Sequence, residues 1–499
     1  GGTLNVGGTI DVDTYGLGIT SGSNVNHTTT TTPNLTFDNL NVGGEGTGTF
    51  THSDGSTLGL TDLRLGMDSG GSGTYTISNG TLNVSGSIVD GAGTSTLNND
   101  GGTLNVGGTI DVDTYGLGIT SGSNVSHTTA TTPNLTFDNL NVGGAGTGTF
   151  THSDGSTLGL TDLSLGMDSG GSGTYTISNG TLNVSGDVVN GAGTGTLNID
   201  GGTVNAGTIG VDTLNIGNSG GTNASHTLGS GESISAGNEN IGNSGTGTFT
   251  QTGGTKTVSN ILRLGRESGS SGTYNLSGGS ILADSEYLGS SGEATFNQTG
   301  GTNSVSSYFG VGVFSGSQGV YNLSNTGSLI AADEYIGEQG TGSFNQTGGT
   351  NTVANGLRIG WATGSAGTYT ISGGTLGVGG SIINGAGTGT LNIDGGTVTA
   401  GTIGVDTLNI GNSAGTNGSH TLGSGESISA GSETIGNSGT GNFTQTGGTN
   451  TVSNNLLVGA SSGSSGICNV SGGSFSANNS YIGGSSVVSG GSGTMNISG

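Results

Sequence analysis

The chain has little of what nucleic-acid binding, membrane insertion or disulfide stabilisation requires. Only 5 of its 499 residues are Lys or Arg, against 31 Asp or Glu, which leaves a formal net charge of −26. So few cations cannot neutralise a phosphate backbone, and nucleic acid is excluded as a partner class. No apolar run approaches the roughly 20 residues that cross a bilayer, and no basic amphipathic stretch lies ready to rest on one. One cysteine excludes a disulfide framework and a Cys-rich metal site. Aromatic residues make up 5% of the chain and hydrophobic residues 28%. By composition alone, with 115 glycines, the chain reads as disordered.

Order along the sequence reverses that reading. Residues 1–100 and 101–200 match without a gap at roughly nine positions in ten. GAGTGTLNID at Gly191–Asp200 recurs at Gly385–Asp394, and the match extends over 191–291 and 385–485. Beneath these copies lies a shorter unit, as in GTGTFTQTGGTKTVSNILRLG from Gly245 and GTYNLSGGSILADSEYLG from Gly272. Longer and shorter versions alternate and average roughly 23 residues, a solenoid period.

Each unit predicts three short strands. Alternation such as Tyr274-Asn275-Leu276 has the strand period of two, a Gly-Gly or Asn-Gly step turns a corner, and an apolar-Gly pair such as Leu288-Gly289 closes the unit. No helical periodicity of useful length is present. Strands this short bury their apolar face only by stacking coil on coil. The expectation is therefore an all-β, single-stranded parallel β-helix running continuously through 1–499. It has about 21–22 coils of roughly 20–27 residues, right-handed as is commoner for wide coils, and at the strand spacing it spans on the order of 100 Å.

Aligned coils place Phe50, Phe150, Phe249, Phe296, Phe344 and Phe443 in one column with Tyr75, Tyr175, Tyr274, Tyr321 and Tyr369. The predicted result is an interior aromatic stack. His27, His127, His226 and His420 fall in the same column, while His52 and His152 take the place of Gln251, Gln298, Gln346 and Gln445. That placement predicts structural histidines. The glutamines should point inward and bond the free backbone groups of the glycine corner. Cys468 and Met495 replace tyrosine in the column as apolar core residues.

Candidate ligands are few. The densest carboxylate groups are Asp11 with Asp13, Asp111 with Asp113, and Asp54, Asp62 and Asp68 with their copies. Oxygen-rich turns of this kind make Asp11, Asp13, Asp111 and Asp113 candidate Ca2+ ligands. The Gly-Gly-x-Gly-x-Asp repeat of calcium β-rolls is missing, and a solvated acidic face that deters lateral aggregation is the favoured reading. No cofactor is expected. A catalytic carboxylate constellation should occur once, whereas these recur copy after copy, so the expectation is not an enzyme. Trp361 with Arg358 in GLRIGWATG is a single occurrence with the chemistry of a sugar contact. Thr28–Thr32 with Pro33 reads as a corner.

The recurring TFNQTGGTNTV…L-x-I-G and TYNLSGGSL…EYIG units resemble those of large exported bacterial β-helix proteins. These are autotransporter-type passengers, filamentous-haemagglutinin-like adhesins and PEP-CTERM-associated repeat proteins. The resemblance implies export, a cell-surface or matrix location, and a role as stalk, adhesin or fibre. Together with repeats open at Gly1 and Gly499, it leads us to expect a segment of an extracellular rod that meets neighbours end to end. The alternative expectation is a stalk that binds polysaccharide or a host surface, and a polysaccharide-active enzyme is a remote third.

Overall fold

The computed structural model describes residues 9–29, 35–129, 134–485 and 490–498. Thr30–Thr32 and Pro33 lie outside them. The fold is all-β: parallel strands stack as a β-solenoid of about 21 turns, and no α-helix occurs among the described residues. No helix there is long and apolar enough to cross a membrane. The chain divides into two units. One comprises Gly1–Asn215 with Ser233–Ala236, the other Ile216–Glu232 with Gly237–Gly499.

In the first unit the hundred-residue copies fold alike. Thr47–His52 pairs in parallel with Ser72–Ile77, putting Phe50 against Tyr75. Thr147–His152 pairs with Ser172–Ile177, putting Phe150 against Tyr175. The second unit shows the coil at its most regular. Thr246–Gln251 pairs with Ser271–Leu276, which pairs with Glu293–Gln298. Each of these strands alternates outward and buried positions, so the apolar residues of these coils share one interior.

The expected three short strands form in the coil of Thr47–His52, Thr57–Leu60 and Asp62–Leu65, whereas in the coil from Thr246 the second and third run together. Thr255–Leu264 is one ten-residue strand whose register to Ser280–Leu288 shifts between Val258 and Ile261. No glycine separates the halves, so the chain bends through a bulge instead of a turn. Elsewhere glycine makes the corner. Gly289 has φ +69°, and a Cβ there would sit 2.5 Å from the backbone oxygen of Gln318 on the next coil. Gly269 also has positive φ, +82°, but faces open space.

Candidate functional site

The interior columns are the best-defined chemical feature of the chain. Phe249, Tyr274, Phe296, Tyr321, Phe344 and Tyr369 follow one another in strand register. All six are fully buried. Tyr274 and Phe296 stack with centroids 4.6 Å apart and planes 1° apart, Phe296 and Tyr321 at 4.7 Å, and Phe344 and Tyr369 at 4.5 Å. Parallel planes at this separation are compatible with the offset stacking that ring quadrupoles favour, and the strand spacing sets the distance. Phe443 pairs with His420 on one side and Cys468 on the other, and Cys468 with Met495. His27, His127 and His226 likewise sit in register with Phe50, Phe150 and Phe249. Burial pushes the Cys468 thiol up to about 12, aided by Glu433, which makes it an inert core group.

The inward glutamines do what a buried amide must. Gln346 accepts the Tyr369 hydroxyl proton at 2.6 Å and donates to the Thr375 and Gly349 carbonyls at 3.0 and 3.3 Å. Gln298 makes the same set with Tyr321, Ser328 and Gly301. His52 and His152 serve in their place: His152 Nδ1 lies 3.1 Å from the Tyr175 hydroxyl and Nε2 lies 3.1 Å from the Ser156 carbonyl. Their pKa values are lowered, chiefly by burial.

A second interior feature was not singled out by the sequence reading. Glu239, Glu286, Glu334 and Glu433 are fully buried. In register they alternate with apolar side chains: Leu262, Glu286, Phe309, Glu334 and Leu357 share one column, and Leu408, Glu433 and Leu456 continue the pattern. Each glutamate meets a polar partner 17 residues on. Asn303 Nδ2 donates to Glu286 at 3.0 Å, Asn351 to Glu334 at 3.1 Å, and Asn450 to Glu433 at 2.9 Å. Asn351 and Asn303 also reach the hydroxyls of Tyr369 and Tyr321, at 3.1 and 3.5 Å. Each pair leaves one carboxyl oxygen and the amide oxygen without a hydrogen-bond partner. Two buried acceptors without a donor are costly, and a proton on the carboxyl supplies a donor where there was none. Burial accordingly raises the pKa of Glu286 to about 7, Glu334 to about 8 and Glu433 to about 7.

At Glu239 the partner is a cation. Lys256, fully buried, contacts Glu239 at 2.7 Å and lies 3.1 Å over the Phe249 ring. Burial still lowers its pKa to about 8, against the opposing pull of Glu239. Alternation in register with Leu and Phe, together with the 17-residue spacing to Asn or Lys, is the sequence signal that marks these glutamates as interior.

The candidate Ca2+ ligands are placed differently. Asp11 and Asp13 are exposed on the strand Ile10–Leu17. Asp113 accepts the Ser95 backbone N–H at 2.8 Å, and Asp212 and Asp406 accept those of Gly195 and Gly389 at 2.9 and 2.8 Å. Asp113 therefore works as a coil-to-coil clamp. Asp111 pairs in strand register with Val89 and Thr136. Among the described residues no group of three or more His, Cys, Asp or Glu could hold a metal ion. Outside, amides form a ladder: Asn297 donates to Asn275 at 2.9 Å, Asn322 to Asn297 at 2.8 Å and Asn345 to Asn322 at 3.0 Å.

No protein-family model, curated protein or solved structure matches this chain.

Proposed function

We propose that the chain is a structural repeat segment of an extracellular bacterial protein, a stiff rod built into a cell-surface fibre, filament or matrix layer. The single observation that carries this reading is that the same three ladders run from coil to coil. These are the stacked rings, the inward Gln–Tyr bonds and the outward Asn amides. Such a stack gains stability with every coil added, because each coil contacts only its neighbours. Near-identical hundred-residue copies add length without adding a new constellation of groups. The resemblance of the repeats to exported β-helix proteins supports the location, and end-to-end association with like coils is the partner it implies.

Removing residues 101–200 tests the role. A shaft should still assemble, with its axial repeat shortened by about 20 Å, four coils at the strand spacing. Loss of assembly on removing a copy whose twin remains would overturn the proposal.

A further inference from the structure

Two of the chain's five basic residues, Arg263 and Arg358, lie over a run of outward aromatic rings in the second unit, with Arg266 close enough to Arg263 to act on its charge. Across five successive coils one outward column reads Arg263, Tyr287, Gly310, Tyr335, Arg358. Gly310 leaves a gap at its centre, and the Tyr308 ring lies over it: a Cβ on Gly310 would meet the Tyr308 hydroxyl at 2.5 Å. Tyr308 sits 5.1 Å from Tyr287 and stacks on Tyr335 at 5.1 Å, so three rings run on without a break. Arg263 lies 5.7 Å over Tyr287, and Arg358 lies 4.7 Å over Tyr335 and 5.5 Å over Trp361. Trp361 and Phe314 stand edge-on to the end tyrosines, 39% and 42% exposed.

More than a third of Trp361 and of Phe314 stays open to solvent despite these contacts. The polar groups beside them are planar and already paired. Arg358 binds Asp333 at 2.7 Å, Asn355 donates to the same carboxylate at 3.0 Å, Arg266 lies 3.6 Å from Glu267, and the Tyr308 hydroxyl donates to Glu338. Near Phe314, a polar hollow of about 250 Å3 is lined by Ser270, Ser271, Ser291, Glu293 and Gln318.

We propose that this strip binds an uncharged pyranose polysaccharide, with sugar C–H faces on the rings and hydroxyls on the paired Arg, Asp, Asn and Glu groups. The charge balance selects the occupant. Arg358 and Arg266 each face a carboxylate, and Glu338 on the Tyr308 hydroxyl offsets the charge of Arg263, so the strip presents donors and acceptors with little net charge, and a chain of net charge −26 repels polyanions. The strip is one ring wide and repeats at the coil rise, which fits a linear polymer better than the broad face of a folded protein. This goes beyond a purely structural role, because it gives the solenoid a ligand.

Trp361 is the only tryptophan, so its emission reports on the strip directly. The test is titration with soluble mixed-linkage β-glucan, xylan and galactomannan, with alginate as the polyanion. A saturable change in emission is expected with at least one neutral polymer, unaltered by high salt. Phe314→Ala should weaken that binding about tenfold. Leu282→Ala, which removes an even more exposed apolar side chain from another outward column, should leave it unchanged. No response to any neutral polymer, alginate binding as tightly as the best of them, or full affinity in Phe314→Ala would each overturn the proposal.

Discussion

Replacing the three asparagine-paired glutamates by glutamine (Glu286→Gln, Glu334→Gln and Glu433→Gln together) should make the protein insensitive to a pH change that weakens the parent. In the folded chain burial lifts these carboxyls from 4.5 to about 7, about 8 and about 7. Between those limits the folded state holds protons that the unfolded chain has released. Stability is therefore fully present below about pH 4.5 and drains away as pH rises through 7 to 8. Each tenfold in proton affinity is worth about 1.4 kcal/mol, so the three groups together withdraw on the order of 10 kcal/mol across the whole range.

Other groups intrude at the edges. His127 and His226, held near 4 by burial, cost stability below pH 6.5, and Lys256, lowered to about 8, returns some above pH 8. The interval from pH 6.5 to 8 belongs chiefly to the glutamates, and there linkage gives a loss of about 3 kcal/mol. In the variant, a glutamine amide can donate to each orphaned asparagine oxygen as the carboxyl proton does. Guanidinium denaturation at pH 6.5 and pH 8 measures the difference. The variant should gain about 3 kcal/mol on the parent over that interval. A parent curve that is flat or rising there, or a variant whose deficit is the same at both pH values, would refute the assignment.

Three further outcomes follow from the same packing. Lys256→Asn restores the residue that Asn303, Asn351 and Asn450 supply elsewhere and should hold denaturation stability within about 1 kcal/mol, whereas Lys256→Met strands Glu239 and should cost about 3–5 kcal/mol. Gly289→Ala should lower the melting temperature far more than Gly269→Ala, because both glycines need positive φ but only Gly289 abuts the next coil's backbone. Phe296→Ala opens the ring stack and should cost about 3–5 kcal/mol, while Tyr321→Phe leaves Gln298 Oε1 without its hydroxyl donor at about 1–3 kcal/mol; both are read from denaturation midpoints.

The aromatic column and the exchange of glutamine for histidine were legible because each follows from aligning coils. Residues that take turns at one inward position must share its surroundings, and Tyr175 meets His152 just as Tyr369 meets Gln346. The buried glutamates were not, because charged side chains are almost never fully buried unless paired. Their partners lie 17 residues away, on a spacing different from the coil period. The break expected between second and third strands is present between Leu60 and Asp62 but not at Ser259-Asn260, where the strand bends through a bulge instead. Trp361 stood alone in the sequence, because Tyr287, Tyr308 and Tyr335 approach it only when four coils are stacked.

Electron microscopy of the purified protein at neutral pH, without chelator, tests the structural role most directly. The account predicts continuous filaments whose axial repeat is close to the ~100 Å expected from the coil count read in the sequence. Separate particles that never join end to end at any concentration would contradict it.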